Sequence, residues 1–335
     1  KSSAASDVYK RQVSDYAIKN VIIETIQSPA VSMAPVNPLN EKKTMIIAFI
    51  AAAAVFMVLV AGLSYLRDTI KNPKDVTSKL DTRLLGSIYH EKKSKSIKLR
   101  KKKEFVSMLI SNPLRSFQYA ESNKLMSSRV RSYMDKENAK TLLVTSVMEN
   151  EGKSTVAANL ALGLAQEGSR VMLIDCDFRK PAQYKIFDME GKDADDLGKV
   201  LTGKAGTENL ICNWNDTNLY IILNRTSSNS IEALLKSTTL RQIVGFCRQN
   251  MDYVIIDTSP LALVSDTEEL AQMADASVLV VRQDTVLTKD INDAIDILNN
   301  TRGKVLGCVL NDASSSQITG STAHYGYGGY YEKRA

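Results

Sequence analysis

Residues 141–155, TLLVTSVMENEGKST, constrain the fold of this chain more than any other stretch. Thr141–Val147 is an apolar, β-branched run with strand character, and Ser154–Gln166 has helical composition. A buried strand that passes through a short polar loop into a helix is the building unit of a parallel sheet covered by helices. The same arrangement is suited to holding an anion, because loop N–H groups and the helix N-terminus face it together. Gly152-Lys153-Ser154-Thr155 supplies the residue types a phosphate site needs. Lys153 suits the β- and γ-phosphates, and the Ser154 hydroxyl suits Mg2+. The strict G-x-x-x-x-G-K-[ST] spacing is not met, since Val147 stands five residues before Gly152.

Beyond this unit, apolar runs alternate with helical segments. Val171–Ile174, Leu219–Leu223, Tyr253–Ile256, Ser277–Val281 and Val305–Leu310 read as strands. Ile231–Arg248, Asp266–Met273 and Lys289–Leu298 read as helices between them, and the polar segment Arg115–Met134 as a helix ahead of the first strand. The pattern predicts an α/β fold with a mostly parallel sheet and helices on both faces. Two of the strands end in carboxylates: Asp175 and Asp177 in VMLIDCDFRKP, and Asp257 in YVIIDTSP. One aspartate after a strand serves a turn or a helix cap as readily as a ligand. A phosphate loop, a D-x-D and a D-x-x-P at strand ends converge on one crevice, where open parallel sheets bind ligands.

The N-terminal part is different in kind. Thr44–Leu66 holds 23 residues without a charge, between Lys43 and Arg67. At about 1.5 Å per residue they span roughly 34 Å, enough to cross a hydrocarbon layer about 30 Å thick. A buried core helix is the competing reading. Basic residues are concentrated after this stretch, with eight between Lys92 and Lys103, which places the C-terminal side in the cytoplasm by the positive-inside rule. That run suits either a solvated linker or contact with anionic membrane lipid. It accounts for the net charge of +6, and no other basic face calls for nucleic acid. Four cysteines, at least 35 residues apart, and two histidines make a zinc site or a disulfide framework unexpected.

These motifs resemble those of the bacterial tyrosine kinases of capsular and exopolysaccharide systems. Glu151–Thr155 resembles their modified Walker A loop, D-C-D-F-R-K-P their Walker A′ element and I-I-D-T-S-P their Walker B element. ADASVLVVR and VLGCVLN resemble the family's later strands. The match covers residues 113–312, and more weakly Pro29 to Gly86 is similar to the stem, second membrane helix and linker of a polysaccharide co-polymerase. The resemblance implies a P-loop NTPase fold preceded by a single transmembrane helix. It divides the chain into an extracytoplasmic, Pro-rich remnant (1–43, with 1–12 set aside as non-native in appearance), the membrane helix (44–66), a basic juxtamembrane linker (67–112), the kinase domain (113–312) and a flexible Tyr-rich tail (313–335). With neither a first membrane helix nor room for a periplasmic domain before Lys42, the sequence is expected to be part of a longer protein.

By the same resemblance the reaction is ATP-dependent protein-tyrosine autophosphorylation with Mg2+. Lys153, Asp175, Asp177 and Asp257 are the expected catalytic residues; Ser154, Asp175 and Asp257 hold the metal; Glu151, Gly152, Lys153, Ser154, Thr155, Arg179 and Asn311 bind ATP. Tyr325, Tyr327, Tyr330 and Tyr331 are the expected phosphoacceptors, modified in trans within a homo-oligomer, with a ring possible. Further implied partners are the polysaccharide polymerisation and export machinery, a cognate tyrosine phosphatase and membrane lipid, at the inner or plasma membrane. The sequence departs from the family pattern at Glu149-Asn150, where Pro-Gly is usual, and at Lys124 and Ser127, where the oligomer helix that carries Glu121 usually has Arg. Two other functions stay open at this level. One is a positioning ATPase of the deviant-Walker group, which carries a lysine where Met148 stands; the other is a degenerate kinase acting as a nucleotide-gated scaffold.

Overall fold

The computed structural model describes residues 7, 10–11, 41–91, 107–191, 194–225, 231–261 and 266–314. The Pro-rich stem, the basic run of 92–103 and the four tail tyrosines lie outside them. The chain forms two compact units, Lys1–Leu66 and Arg67–Ala335.

The first unit contains α1 (Glu41–Leu66), three residues longer at its start than the uncharged stretch. Its apolar side chains are exposed, with Phe49 at 75% and Val58 at 73%. A helix of a protein core hides such residues from water. Glu41–Gly62 is long and apolar enough to cross a membrane.

The second unit is an eight-stranded sheet. Its elements are α2 (Pro73–Lys79), β1 (Leu84–Tyr89), α3 (Phe117–Lys136), β2 (Thr141–Ser146), α4 (Lys153–Gln166), β3 (Val171–Asp175), α5 (Gln183–Ile186), α6 (Leu197–Leu201), β4 (Ile211–Asn213), β5 (Leu219–Ile222), α7 (Ile231–Leu235), α8 (Thr238–Asn250), β6 (Tyr253–Asp257), α9 (Asp266–Ala271), β7 (Ala276–Arg282), α10 (Thr288–Asn299) and β8 (Lys304–Ala313). The strand order is β1-β8-β7-β2-β6-β3-β5-β4, parallel throughout except for β4 against β5.

The period of two along the strands divides the core between the two faces. Leu142, Val144, Ile255, Val278 and Val280 join α3 and α4 in one cluster. Leu143, Val254, Ile256, Leu279 and Val281 join α2 and α6 to α10 in the other. The sheet is therefore helix-covered on both sides, as the near-continuous apolar runs require.

Two expectations need correction. The single helix expected over Ile231–Arg248 is two helices, broken at Lys236, with Ser237 capping the second through the Thr239 N–H. The stretch expected as a linker over 67–112 contributes to the fold. Asn72 and Asp75 form a capping box around Pro73 to start α2, and β1 adds a parallel edge to β8. Ile70, Val76, Leu85 and Ile88 are buried. Gly86 lets β1 approach α3, since a Cβ there would lie 2.8 Å from the Met126 Cβ.

A candidate nucleotide site at the strand ends

Strand order places the chemistry. β6 lies between β2 and β3, with Asp257 in register with Val144 on one side and Asp175 on the other. The loop after β2 and the aspartates ending β3 and β6 thus meet at the carboxyl edge of three adjacent strands.

The loop bends by left-handed backbone. Asn150 has φ 63° and Gly152 φ 89°, so Asn150 adopts the conformation for which its side chain is better suited than most. Gly152 is required for two reasons: its φ is left-handed, and a Cβ would lie 2.1 Å from Asn311 Nδ2. Asn311, on β8, donates to the Glu151 carbonyl at 2.8 Å. α4 starts at Lys153 with no side-chain cap, and its buried Ala157, Ala158, Ala161 and Gly163 let it pack closely.

Lys153 Nζ donates to Asp177 Oδ2 at 2.7 Å and to Ser154 Oγ at 3.1 Å, and lies 3.8 Å from Asp257 Oδ1. Asp177 Oδ1 accepts from Ser259 Oγ at 2.9 Å and from the Lys180 N–H. Asp175 accepts the Ala182 and Gln183 N–H groups. Gln183 Nε2 donates to Asp257 Oδ2 at 2.8 Å and to the Ser154 carbonyl. Lys153, Ser154, Asp175, Asp177 and Asp257 are therefore one cluster, as the motifs anticipate, and Thr155 lies in the first turn of α4 beside them.

The charges do not balance. Burial lifts the Asp175 carboxyl well above its usual range, and the Asp257 charge adds to the effect. Burial raises Asp257 as well, against the opposing pull of Lys153. Burial also opposes ionisation of Asp177, but Lys153 and the hydrogen bonds outweigh it and hold that carboxyl low. Lys153 is raised: burial works against its charge, and Asp257 and Asp177 more than compensate. One ammonium thus serves three carboxylates. Asp257 Oδ1 is buried without a hydrogen-bond partner. Among the described residues no group of three His, Cys, Asp or Glu side chains forms a metal cage. Mg2+ is usually held by one or two protein groups together with phosphates and water, so the orphaned oxygen and the surplus negative charge fit it.

Arg179 joins the cluster through its main chain only, its N–H donating to Asp177 Oδ1 at 3.2 Å. Its guanidinium donates from Nε and from a terminal nitrogen to Asp266 Oδ2, at 3.0 and 2.9 Å. Glu149 is paired with Lys180, which offsets the charge it brings to the loop. Gln183 and Ser259 carry no signal of their own in the sequence. Ser259 lies within the D-T-S-P motif, and Gln183 follows Pro181 by two residues.

The family model described as "ParA: NUBPL iron-transfer P-loop NTPase" matches residues 138–330, more than half of the chain. The tyrosine-protein kinase CpsD of Streptococcus agalactiae is 34% identical over 202 residues, covering 60% of this chain and 85% of that protein. The tyrosine-protein kinase YwqD of Bacillus subtilis strain 168 is 33% identical over 190 residues, covering 57% and 78%. Among solved structures, the chimerical protein CapA2B2 superposes with a TM-score of 0.59 at 25% identity, over 72% of this chain and 99% of that one. The kinase domain of the Escherichia coli tyrosine kinase ETK shares the fold with a TM-score of 0.62 at 21% identity, over 77% and 99%. With its strand-end phosphate loop and paired carboxylates, the chain belongs to the bacterial tyrosine-protein kinases built on a ParA-type P-loop NTPase domain.

Proposed function

We propose that this chain is an ATP-dependent protein-tyrosine autokinase of a capsular or exopolysaccharide system, held at the membrane by α1 with its second unit in the cytoplasm. The observation that carries this reading is the 34% identity to a tyrosine-protein kinase across 85% of that relative, and the Lys153–carboxylate cluster at the strand ends supports it. Ser154, Asp175 and Asp257 would hold Mg2+, which when bound neutralises phosphate charge during phosphoryl transfer. Lys153 would exchange its contact with Asp177 for the phosphates. Asp177, once released from Lys153, is the carboxylate available to orient a tyrosine hydroxyl and accept its proton, with Asp175 beside it on the metal side. Gln183 keeps Asp257 facing α4 by holding both Asp257 and the Ser154 carbonyl.

The acceptors are Tyr325, Tyr327, Tyr330 and Tyr331 of a neighbouring copy. An exposed strip on α3, with Phe117 at 80% and Leu125 at 54% exposure, supports a subunit contact along that helix. Export machinery, a tyrosine phosphatase and anionic lipid complete the expected set of partners. The test is to incubate the purified full chain with ATP and Mg2+ and map the products by mass spectrometry, with Lys153→Met alongside. Phosphotyrosine in residues 325–331 of the wild type alone is the expected result. ADP without phosphotyrosine would favour the positioning ATPase, and neither product the scaffold.

A further inference from the structure

Glu151 places an acidic side chain in a loop whose purpose is to hold an anion. It is 1% exposed. Its Oε2 accepts the Met148 N–H at 2.6 Å within the loop, and its Oε1 accepts the Arg282 N–H at 3.1 Å at the end of β7. Its carbonyl accepts from Asn311 on β8. Residue 151 is thus held by its side chain from β7 and by its main chain from β8. The Arg282 N–H is available for this role because the next ladder bond, Gln283 N–H to the Asn311 carbonyl at 3.0 Å, skips it. Burial pushes the Glu151 carboxyl up to about 7, although the amide hydrogen bonds favour its charged form. Once ionised, a buried carboxylate beside a phosphate site is unfavourable both for folding and for anion binding. Its geometry is what it contributes: a two-oxygen bridge that fixes the loop against the sheet.

We propose that Glu151 is a positioning residue of the nucleotide site, bridging the Met148 and Arg282 amides so that the loop is already curved to receive phosphates. This rests on the nucleotide-binding reading given above. It does not require Glu151 to touch the nucleotide.

The experiment measures MgATP and MgADP affinity by calorimetry on the detergent-solubilised full chain at pH 8, for wild type, Glu151→Gln and Glu151→Ala. Glu151→Ala, which loses both bridges, is expected to bind at least tenfold more weakly, about 1.4 kcal/mol. Glu151→Gln keeps one acceptor oxygen and turns an N–H2 toward the second amide, so its affinity should fall between the two. In kinase assays KM for ATP should rise by the same factor while kcat at saturation changes less than twofold. Thermal unfolding of nucleotide-free Glu151→Gln at pH 8 should not fall below wild type, which separates positioning from a merely structural role. Affinities within twofold of wild type overturn the proposal, and so does a weakened Glu151→Gln whose melting temperature drops as well. If Glu151→Ala fails to fold, Glu151→Gln decides by the same two criteria. A wild type that binds nucleotide but makes no phosphotyrosine defeats the kinase reading and leaves this proposal standing; a wild type that binds no nucleotide overturns both.

Discussion

Lys153 is the only cation within hydrogen-bonding or ion-pair reach of the carboxyl groups of Asp177 and Asp257 among the described residues. Replacing it with methionine removes the charge and keeps most of the stem. Loss of a preorganised charge partner typically costs about 10²–10³ in turnover, so Lys153→Met should lower phosphotyrosine formation by at least that factor, read by quantitative mass spectrometry. Glu151 makes a separate prediction about pH. Its folded-state pKa is raised from 4.5 to about 7, so the folded protein resists losing this proton while the unfolded chain releases it readily. The associated stability is complete below about pH 4.5 and is lost as pH rises through 7. The charged and titratable groups facing it are the Arg282 guanidinium from β7 and the Cys308 thiol from β8. Between pH 5 and 8 wild type should lose about 2–3 kcal/mol more than Glu151→Gln, because a tenfold change in proton affinity is worth about 1.4 kcal/mol. Denaturant titrations at the two pH values check it, and equal losses in the two proteins would refute it. Much of this cluster was legible beforehand because each member sits in a motif tied to a strand end. The pairing of the Arg179 guanidinium with Asp266 was not legible, because the two lie 87 positions apart and no local pattern reports such a contact.

At the scale of elements, the departures from the family pattern separate into surface and core. Lys124 is exposed, whereas Ser127 is fully buried where α3 crosses α4: a Cβ on Gly163 would lie 2.6 Å from the Ser127 Oγ. An arginine at 127 would put an unpaired guanidinium into a gap sized for a hydroxyl. Burial of an unpaired charge is among the few changes that cost more than about 4 kcal/mol. Ser127→Arg should therefore unfold or strongly destabilise the second unit, measured by denaturant titration, rather than strengthen a subunit contact. Lys124→Arg, on the exposed face, should leave stability within about 0.5 kcal/mol. The same distinction explains which elements could be read. β2, β3, β6 and β7 are buried on both faces and declare themselves as apolar runs. β1 is an edge strand, LLGSIY, whose buried and half-buried positions are mixed and which contains a glycine; preceding the lysine-rich run, it has the composition of a linker. Its position is set by β8 and by Met126, both distant in sequence. β4, three residues long, offers too short a pattern to detect.

For the whole molecule, the question is which copy a tyrosine tail serves. β8 ends at Ala313, two residues beyond Asn311, which touches the phosphate loop. β8 therefore ends beside the candidate site. From Ser314 to Tyr325 the contour is at most about 40 Å, so reach alone allows the chain's own site or a neighbour's. A tethered acceptor has an effective concentration in the millimolar range, which makes an intramolecular reaction indifferent to dilution. Transfer between copies depends on encounter, and confining chains in one bilayer, the role proposed for α1, would raise encounter. We expect the second behaviour. Wild-type active sites carrying Phe at 325, 327, 330 and 331 should phosphorylate the intact tail of Lys153→Met when the two are mixed, although neither makes phosphotyrosine alone. The initial rate per chain should fall about tenfold on tenfold dilution in detergent, and should be largely restored when the pair is reconstituted together into vesicles of constant protein-to-lipid ratio. A mixture that stays unmodified, together with a wild-type rate independent of dilution, would assign the tail to its own site and leave α1 no part in bringing acceptor and donor together.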